Sequence, residues 1–291
     1  MRNAFADSVL QCRDRDDCFF LTGDLGYMAL EKIQAAFGDR FINCGIAEQN
    51  MVSIAAGLAR EGMECFVYSI APFIYARPYE QIRNDICFSD LPVCLVGNGG
   101  GYGYGHMGPT HHALEDCAAM RALGVRVVAP CFDSDLEPIV REVDSPTYLR
   151  LGYDTSPAEF SAPGWADWRC ILQGNRGVWV TLGPLTGLAV KTLMPLPEDK
   201  RPSLWACGAL TPPPDELASA VSGRKLTVFE EHVAEGGLGM LLLYCLTKKN
   251  VAPAEFVHRH ALRYPSKTFG SQAFHRKECN LDEQSMRRLL P

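Results

Sequence analysis

The sequence predicts an α/β protein of two domains, each a mostly parallel sheet flanked by helices. Three observations lead there. Short apolar or β-branched runs alternate with helical patterns along most of the chain. The alternation breaks once, over 153–175, in a stretch rich in Pro, Gly, Ser and aromatics without a clear period, and then resumes. With 291 residues, 47% hydrophobic and 21% charged, the chain is long enough for two ordinary domains and for a large core without metals or disulfides.

In the first domain, 1–152, the strands are FFLTG (19–23), ECFVYSI (64–70), PVCLVG (92–97), VRVVAP (125–130) and PTYLRL (146–151). Between them, 48–60 places Met51, Ile54, Ala55 and Leu58 on one helical face. Residues 79–88 read as helix, as do 113–123 through Ala113, Leu114, Cys117 and Met120. Residues 133–143 open with the cap residues Asp133 and Ser134. An interdomain crossing follows at 153–175. In the second domain, 176–291, strands are expected at 177–183, 203–208, 225–231 and 254–259, and helices at 185–194, 213–222, 236–247 and 282–290. Such alternation is the pattern of a parallel sheet covered on both faces.

Charge and cysteine usage narrow the function classes. Twenty-eight basic against 34 acidic residues give a net charge of −6, and no basic run is present, so nonspecific nucleic-acid binding is excluded. The 12 cysteines include no CxxC pair, which excludes zinc knuckles and thioredoxin motifs and points to buried, reduced thiols in a cytoplasmic protein. The N-terminal MRNAFADSVLQCRDRDDC has no signal-peptide core, and no apolar run approaches the ~20 residues of a membrane span.

Four segments could carry chemistry. Glu48, in NCGIAEQNM, sits where a strand-like FINC gives way to a helix, the place where open α/β sheets bind ligands. A carboxylate there is either a proton-handling group or a plain helix N-terminal acid. Tyr68, Phe73, Tyr75 and Tyr79 surround Arg77, as a stacking platform or as core aromatics. NGGGYGYGHMGPTHH (98–112) joins a strand to a helix and offers His106, His111 and His112 as donors to anionic oxygens. It matches neither a Walker A loop nor a dinucleotide fingerprint, and its adjacent histidines lack the spacing of a helical zinc pair. FEEHVAEGGLG (229–239) reads as a phosphate-loop mimic or, equally simply, as tight helix–sheet packing, and packing is the favoured account.

Together these segments resemble the C-terminal half of transketolase and of 1-deoxyxylulose-5-phosphate synthase, and especially the C-terminal subunit of split, two-chain transketolases. The resemblance runs through TGDLG (22–26), FINCGIAEQNMVSIAAGLA (41–59), YARPYEQIRND (75–85), GPTHHALED (108–116), PTYLRLG (146–152) and VFEEHVAEGGLG (228–239), covering nearly the whole chain. It implies a thiamine-diphosphate pyrimidine-binding domain followed by a transketolase C-terminal domain. Glu48 would then hydrogen-bond the aminopyrimidine N1′ and promote proton loss from the cofactor. Phe73 would stack on the pyrimidine, Tyr68 and Arg77 would edge that pocket, and His111 would face the reacting carbons as a donor. The reaction implied is transfer of a two-carbon ketol unit from a ketose to an aldehyde. The GDG and downstream NN with which the family holds diphosphate and Mg²⁺ are missing from this sequence. The expected partner is an N-terminal transketolase-type subunit carrying GDG…NN, in a heterotetramer with two copies of each chain.

Some positions depart from the family pattern. Met107, beside His106, stands where transketolase has an aspartate, and Tyr153 stands where an arginine commonly follows LRLG. Arg150 remains as a substrate candidate, with His106, His111 and Tyr153. Asn280 replaces a glycine before LD. These changes suggest a divergent member acting on a specialised ketose or 2-oxo acid. Two other functions stay open: the beta subunit of a 2-oxo-acid decarboxylase delivering an acyl group to a lipoyl arm, and a noncatalytic assembly subunit. The GPTHH and YARPYEQIR segments favour ketol transfer.

Overall fold

The computed structural model describes residues 1–290. Its first sheet has six strands: β1 (Cys18–Thr22), β2 (Phe41–Asn43), β3 (Glu64–Ile70), β4 (Val93–Asn98), β5 (Arg126–Val128) and β6 (Thr147–Leu151). They run parallel in the order β2-β1-β3-β4-β6-β5. Side-chain alternation divides the core between the two faces. Phe20, Phe66, Tyr68 and Val96 pack under α1 (Arg2–Val9) and α2 (Glu31–Phe37). Leu21, Val67 and Leu95 pack under α3 (Glu48–Arg60) and α4 (Ala71–Ala76).

Two first-domain helices differ from the sequence expectation. The helix expected at 79–88 is one short turn, α5 (Tyr79–Gln81), continued as a wider π-type turn, Ile82–Cys87, that buries Ile82 and Ile86. The helix expected from 113 begins later, as α6 (Asp116–Ala122), because Ala113 is paired with Gly101 through N–H···O bonds of 2.9 and 3.0 Å. α7 (Leu136–Arg141) follows a tight turn at 133–135.

The second sheet contains β7 (Trp168–Asn175), β8 (Val178–Leu182), β9 (Pro202–Cys207), β10 (Lys225–Phe229) and β11 (Glu255–Arg259), in the order β11-β10-β8-β9-β7. All neighbours are parallel except β7, which is an antiparallel edge on β9. β7 lies inside the stretch read as a crossing. Register shifts after Cys170 and Leu172 break its alternation, which is why the sequence shows no period there. α8 (Leu185–Leu193), α9 (Asp215–Val221), α10 (Leu238–Lys248), α11 (Gln272–Glu278) and α12 (Glu283–Arg287) complete this domain. Among the described residues no helix is long and apolar enough to cross a membrane.

The two sheets are joined where edge strand β5 meets the segment after β9: Ala129 N–H donates to Gly208 O at 2.7 Å and Leu210 N–H to Val127 O at 2.9 Å. The glycines at the start of α10 are explained by packing. Fully buried Glu230 accepts the Leu238 and Gly239 amides at 2.7 and 2.9 Å and meets His258 Nε2 at 2.7 Å. A side chain at Gly237 would strike this carboxylate, and one at Gly239 would strike His258. The anion position at the start of α10 is therefore filled from within. Glu230→Ala strands two amides and an imidazole in the interior. It should destabilise the second domain by about 3 kcal/mol. Chemical denaturation followed by tryptophan fluorescence checks this, and an unchanged midpoint would remove Glu230 from the cap.

Candidate active site

The carboxyl ends of β2, β3 and β4 form one rim, and the site is built on it. After β2 the chain turns through Gly45, at φ +71°, and α3 opens with Glu48, which is 5% exposed. After β3, α4 begins with Pro72 in its first turn and presents Phe73 and, just past its end, Arg77. Arg77 Nη1 donates to Glu48 Oε1 at 2.5 Å, and its guanidinium carbon lies 3.7 Å from the Phe73 ring centre. A planar cation is thus stacked on Phe73 and hydrogen-bonded to Glu48 at once.

The loop after β4 brings the third wall. His111 sits edge-on to Phe73 at 5.2 Å, with Nδ1 2.9 Å from Thr110 Oγ1. Tyr104 follows, its ring 6.0 Å from His111 and its hydroxyl accepting from Asn98 Nδ2 at 2.7 Å. Burial pushes the Tyr104 phenol above its usual range. Gly99, at φ +76°, leaves no room for a Cβ against that ring. A cleft of about 360 Å³, lined by Thr22, Asp24, Tyr27, Glu31 and Asn43 among others, opens at the ends of β1 and β2.

Four of the residues expected at the site, Glu48, Phe73, Arg77 and His111, therefore come together. Tyr153 is 52% exposed and lies close enough to raise the Tyr104 phenol further. Tyr68 does not edge the pocket. Its side chain points to the opposite face of the sheet, stacked on Phe5 at 6.1 Å and beside Phe20, and it is 1% exposed. Arg150 is not available to substrate either. It is buried, with Nε on Asp116 Oδ2 at 2.7 Å and Nη2 on the carbonyls of Ala113 and Glu231, both at 2.9 Å. His106 is exposed on a short turn that packs toward α11, and among the described residues it makes no ring contact with Phe73 or His111.

His112, beside His111 in sequence, has a structural role. It is buried between Tyr264 Oη at 2.8 Å and Gly105 O at 3.1 Å, tying the loop to the second domain, and burial pushes it below the ordinary imidazole range. Glu231 extends that tie, accepting from Tyr102 N–H, Gln272 and Arg276 at 2.7, 2.8 and 2.5 Å. Asp116, Cys117 and His232 each bring a ligand-type atom within 4.8 Å of the others. His232 Nε2 already accepts the Ala118 N–H, and Asp116 is committed to Arg150 and Tyr148, so this trio belongs to the same polar junction. Sequence reasoning misses Tyr104; only its place between the glycines of the loop marks it.

Comparison with known proteins gives the family. Residues 1–152 match the family model described as transketolase, pyrimidine binding domain. The chain is 31% identical over 267 residues to one of the subunits of apulose-4-phosphate transketolase from Phocaeicola vulgatus, covering 86% of this chain and 84% of that one. It is 28% identical over 222 residues to 1-deoxy-D-xylulose-5-phosphate synthase of Clostridium perfringens, where the match spans 72% of this chain but 36% of the relative. Among solved structures, a split-gene transketolase described as an inactive beta4 tetramer superposes with a TM-score of 0.84 at 26% identity, covering 99% of this chain and 95% of that one. Transketolase from Leishmania mexicana shares the fold, with a TM-score of 0.76 at 19% identity and 44% of its length covered. This chain belongs to the transketolase family, as the beta chain of a split transketolase-like enzyme.

Proposed function

We propose that this chain supplies the pyrimidine-binding half of a thiamine-diphosphate-dependent enzyme that transfers a two-carbon ketol unit from a ketose to an aldehyde. A separate subunit holds the diphosphate and Mg²⁺, and the assembly contains two of each chain. The observation that carries this reading is the planar guanidinium of Arg77, stacked on Phe73 and bonded to Glu48. Those two side chains offer an aromatic face and a buried acceptor to one planar group, the pair that an aminopyrimidine needs. Bound there, thiamine diphosphate would supply the electron sink for breaking and making the carbon–carbon bond.

The chain's own residues divide the remaining work. Glu48 holds a hydrogen bond at the ring nitrogen N1′. Phe73 fixes the plane of the ring, with Arg77 moved to its edge. His111, backed by Thr110, donates to a substrate oxygen beside Phe73. The Phocaeicola relative is named as one subunit of its enzyme, and the beta4 tetramer is described as inactive; both support dependence on a partner. Twelve free cysteines support a reducing, cytoplasmic setting.

Native co-purification of the tagged chain tests the reading, with partner identification by mass spectrometry and thiamine diphosphate measured in the eluate. A stoichiometric partner carrying GDG…NN, with cofactor bound and ketol transfer between a ketose and an aldehyde, is the expected result. Tight cofactor binding by the chain alone would overturn the half-site reading. Carbon dioxide release from a 2-oxo acid with acyl-lipoyl formation would replace ketol transfer.

A further inference from the structure

We propose that the second domain binds a small organic phosphate ester in a cationic cleft at the amino ends of β8 and β10, beneath the residues that follow α12. The cleft lies in the other domain from Glu48 and His111, and it does not depend on the ketol-transfer reading.

Strand register places the cleft. Thr227 on β10 pairs with Trp179 on β8. Trp179 packs against Phe229 at 4.9 Å, on the face that α8 and α12 cover. Thr227 and Lys225 precede Phe229 by two and four residues, so their side chains take that face as well. Past α12 the chain makes one more turn, with Leu289 N–H on Met286 O at 3.0 Å, and lays Leu289 and Leu290 against the same core. A cavity of about 200 Å³ remains between these residues and the strand ends. Its walls combine apolar surface from Trp179, Leu289 and Leu290 with three cations, Arg176, Lys225 and Arg288, and with no acid. In a chain of net charge −6, such a lining is a local reversal of sign that focuses on anions.

Two observations point to a ligand there. The first is Thr227. It is 0% exposed and lines the cavity, yet its hydroxyl has no hydrogen-bond partner. The other fully buried threonines of this domain are satisfied. Thr181 and Thr186 bond each other at 2.8 Å, and Thr192 donates to Leu188 O at 2.9 Å. An orphaned buried hydroxyl destabilises the fold, and a ligand oxygen seated beside it would satisfy it.

The second observation is a contrast among the arginines of this domain. Arg201 donates to the carbonyls of Gln173 and Leu196, and Arg224 to those of Gly174 and Gly177. Arg287 is paired with Glu283. Arg288, next to it, makes no ion pair and no side-chain hydrogen bond among the described residues. Arg176 uses only its Nε, on Asp199 O at 3.0 Å. The arginines that line the cleft are thus the ones with free terminal nitrogens. Lys225 is tied to Glu255 on β11 at 2.9 Å, which leaves two of its three hydrogens.

The walls set the ligand class. Two guanidinium groups, an ammonium and a hydroxyl suit a dianionic phosphate, with three terminal oxygens, better than a carboxylate with one charge. The indole and the leucines add apolar surface that inorganic phosphate cannot use, so the phosphate is carried on a small apolar or flat body.

Isothermal titration calorimetry of the full-length chain with phenyl phosphate, inorganic phosphate and benzoate tests this. Phenyl phosphate should bind more tightly than either of the others by about 10-fold. Arg176→Ala and Arg288→Ala should each weaken it by about 10- to 100-fold, the range for hydrogen bonds to a charged group. Thr227→Val should weaken it by about 2- to 10-fold. Without ligand, the same Thr227→Val chain should unfold at a denaturant concentration no lower than wild type, because a methyl replaces an orphaned hydroxyl. A purely structural threonine would lower that midpoint and leave binding alone. Arg13→Ala, at an exposed arginine of the first domain, should change neither. Binding unaffected by the Arg176 and Arg288 substitutions, or lost in Arg77→Ala instead, puts the ligand elsewhere and overturns the proposal. Benzoate or inorganic phosphate bound as tightly as phenyl phosphate overturns the ligand class. No binding of phenyl phosphate at millimolar concentration overturns the site itself.

Discussion

Glu48→Gln should lower the turnover of the assembled enzyme by about 10²- to 10⁴-fold, the range of a removed acid–base group, while leaving the complex intact. Glutamine is nearly isosteric with glutamate, and its side-chain carbonyl can still accept from Arg77 Nη1, so the packing at the start of α3 survives. What the substitution removes is the carboxyl that can share a proton with a ring nitrogen. The loss should fall on kcat, with KM for the ketose little changed, because Glu48 is 5% exposed and, in the proposed site, His111 is the residue that faces substrate. Steady-state kinetics and native mass spectrometry of the same preparation check both halves of the statement. Near wild-type turnover in an assembled complex would leave Glu48 as a plain helix-start acid paired with Arg77.

Glu48 is legible in the sequence because local signals agree there: an extended run ends, a turn glycine follows, and an amphipathic helix opens. Phe73, Arg77 and His111 are legible through motif resemblance, and the geometry joins them through contacts of 2.5 to 5.2 Å. Tyr68 is misplaced by the sequence for a physical reason. β3 is buried on both faces at Cys65–Ser69, so its residues carry no polar alternation to say which face each one takes. Arg150 misleads because its partners are remote. Asp116 is 34 positions away and the Glu231 carbonyl 81, and only the folded chain shows that the guanidinium is spent. β7 is illegible because its bulges break the period that identifies a strand.

Remote commitment makes Arg150 the position of largest expected effect on stability. Arg150→Met should cost about 3–5 kcal/mol, the range for breaking a buried ion pair by removing one partner. Burial opposes the charge on Arg150, but Asp116 beside it more than compensates, so the guanidinium is held above its usual range. Removing it leaves Asp116, which is 0% exposed, with Tyr148 Oη as its one remaining hydrogen-bond donor, since Oδ1 already lacks a partner among the described residues. It also takes one donor from the Ala113 carbonyl, which keeps the Gly101 N–H, and one from the Glu231 carbonyl, so a contact is lost in each domain. The first of these lies next to His112 in the loop that carries His111, so the wall of the site should loosen together with the domain junction. Denaturation should then show the two domains unfolding in separate steps instead of together. Adding Asp116→Asn to Arg150→Met should recover part of the loss, because it withdraws the stranded charge while nearly preserving volume. If the double variant is less stable than Arg150→Met by the full cost of a second independent lesion, the two residues do not act as a pair. Arg150 would then stabilise the fold through its two carbonyl contacts alone.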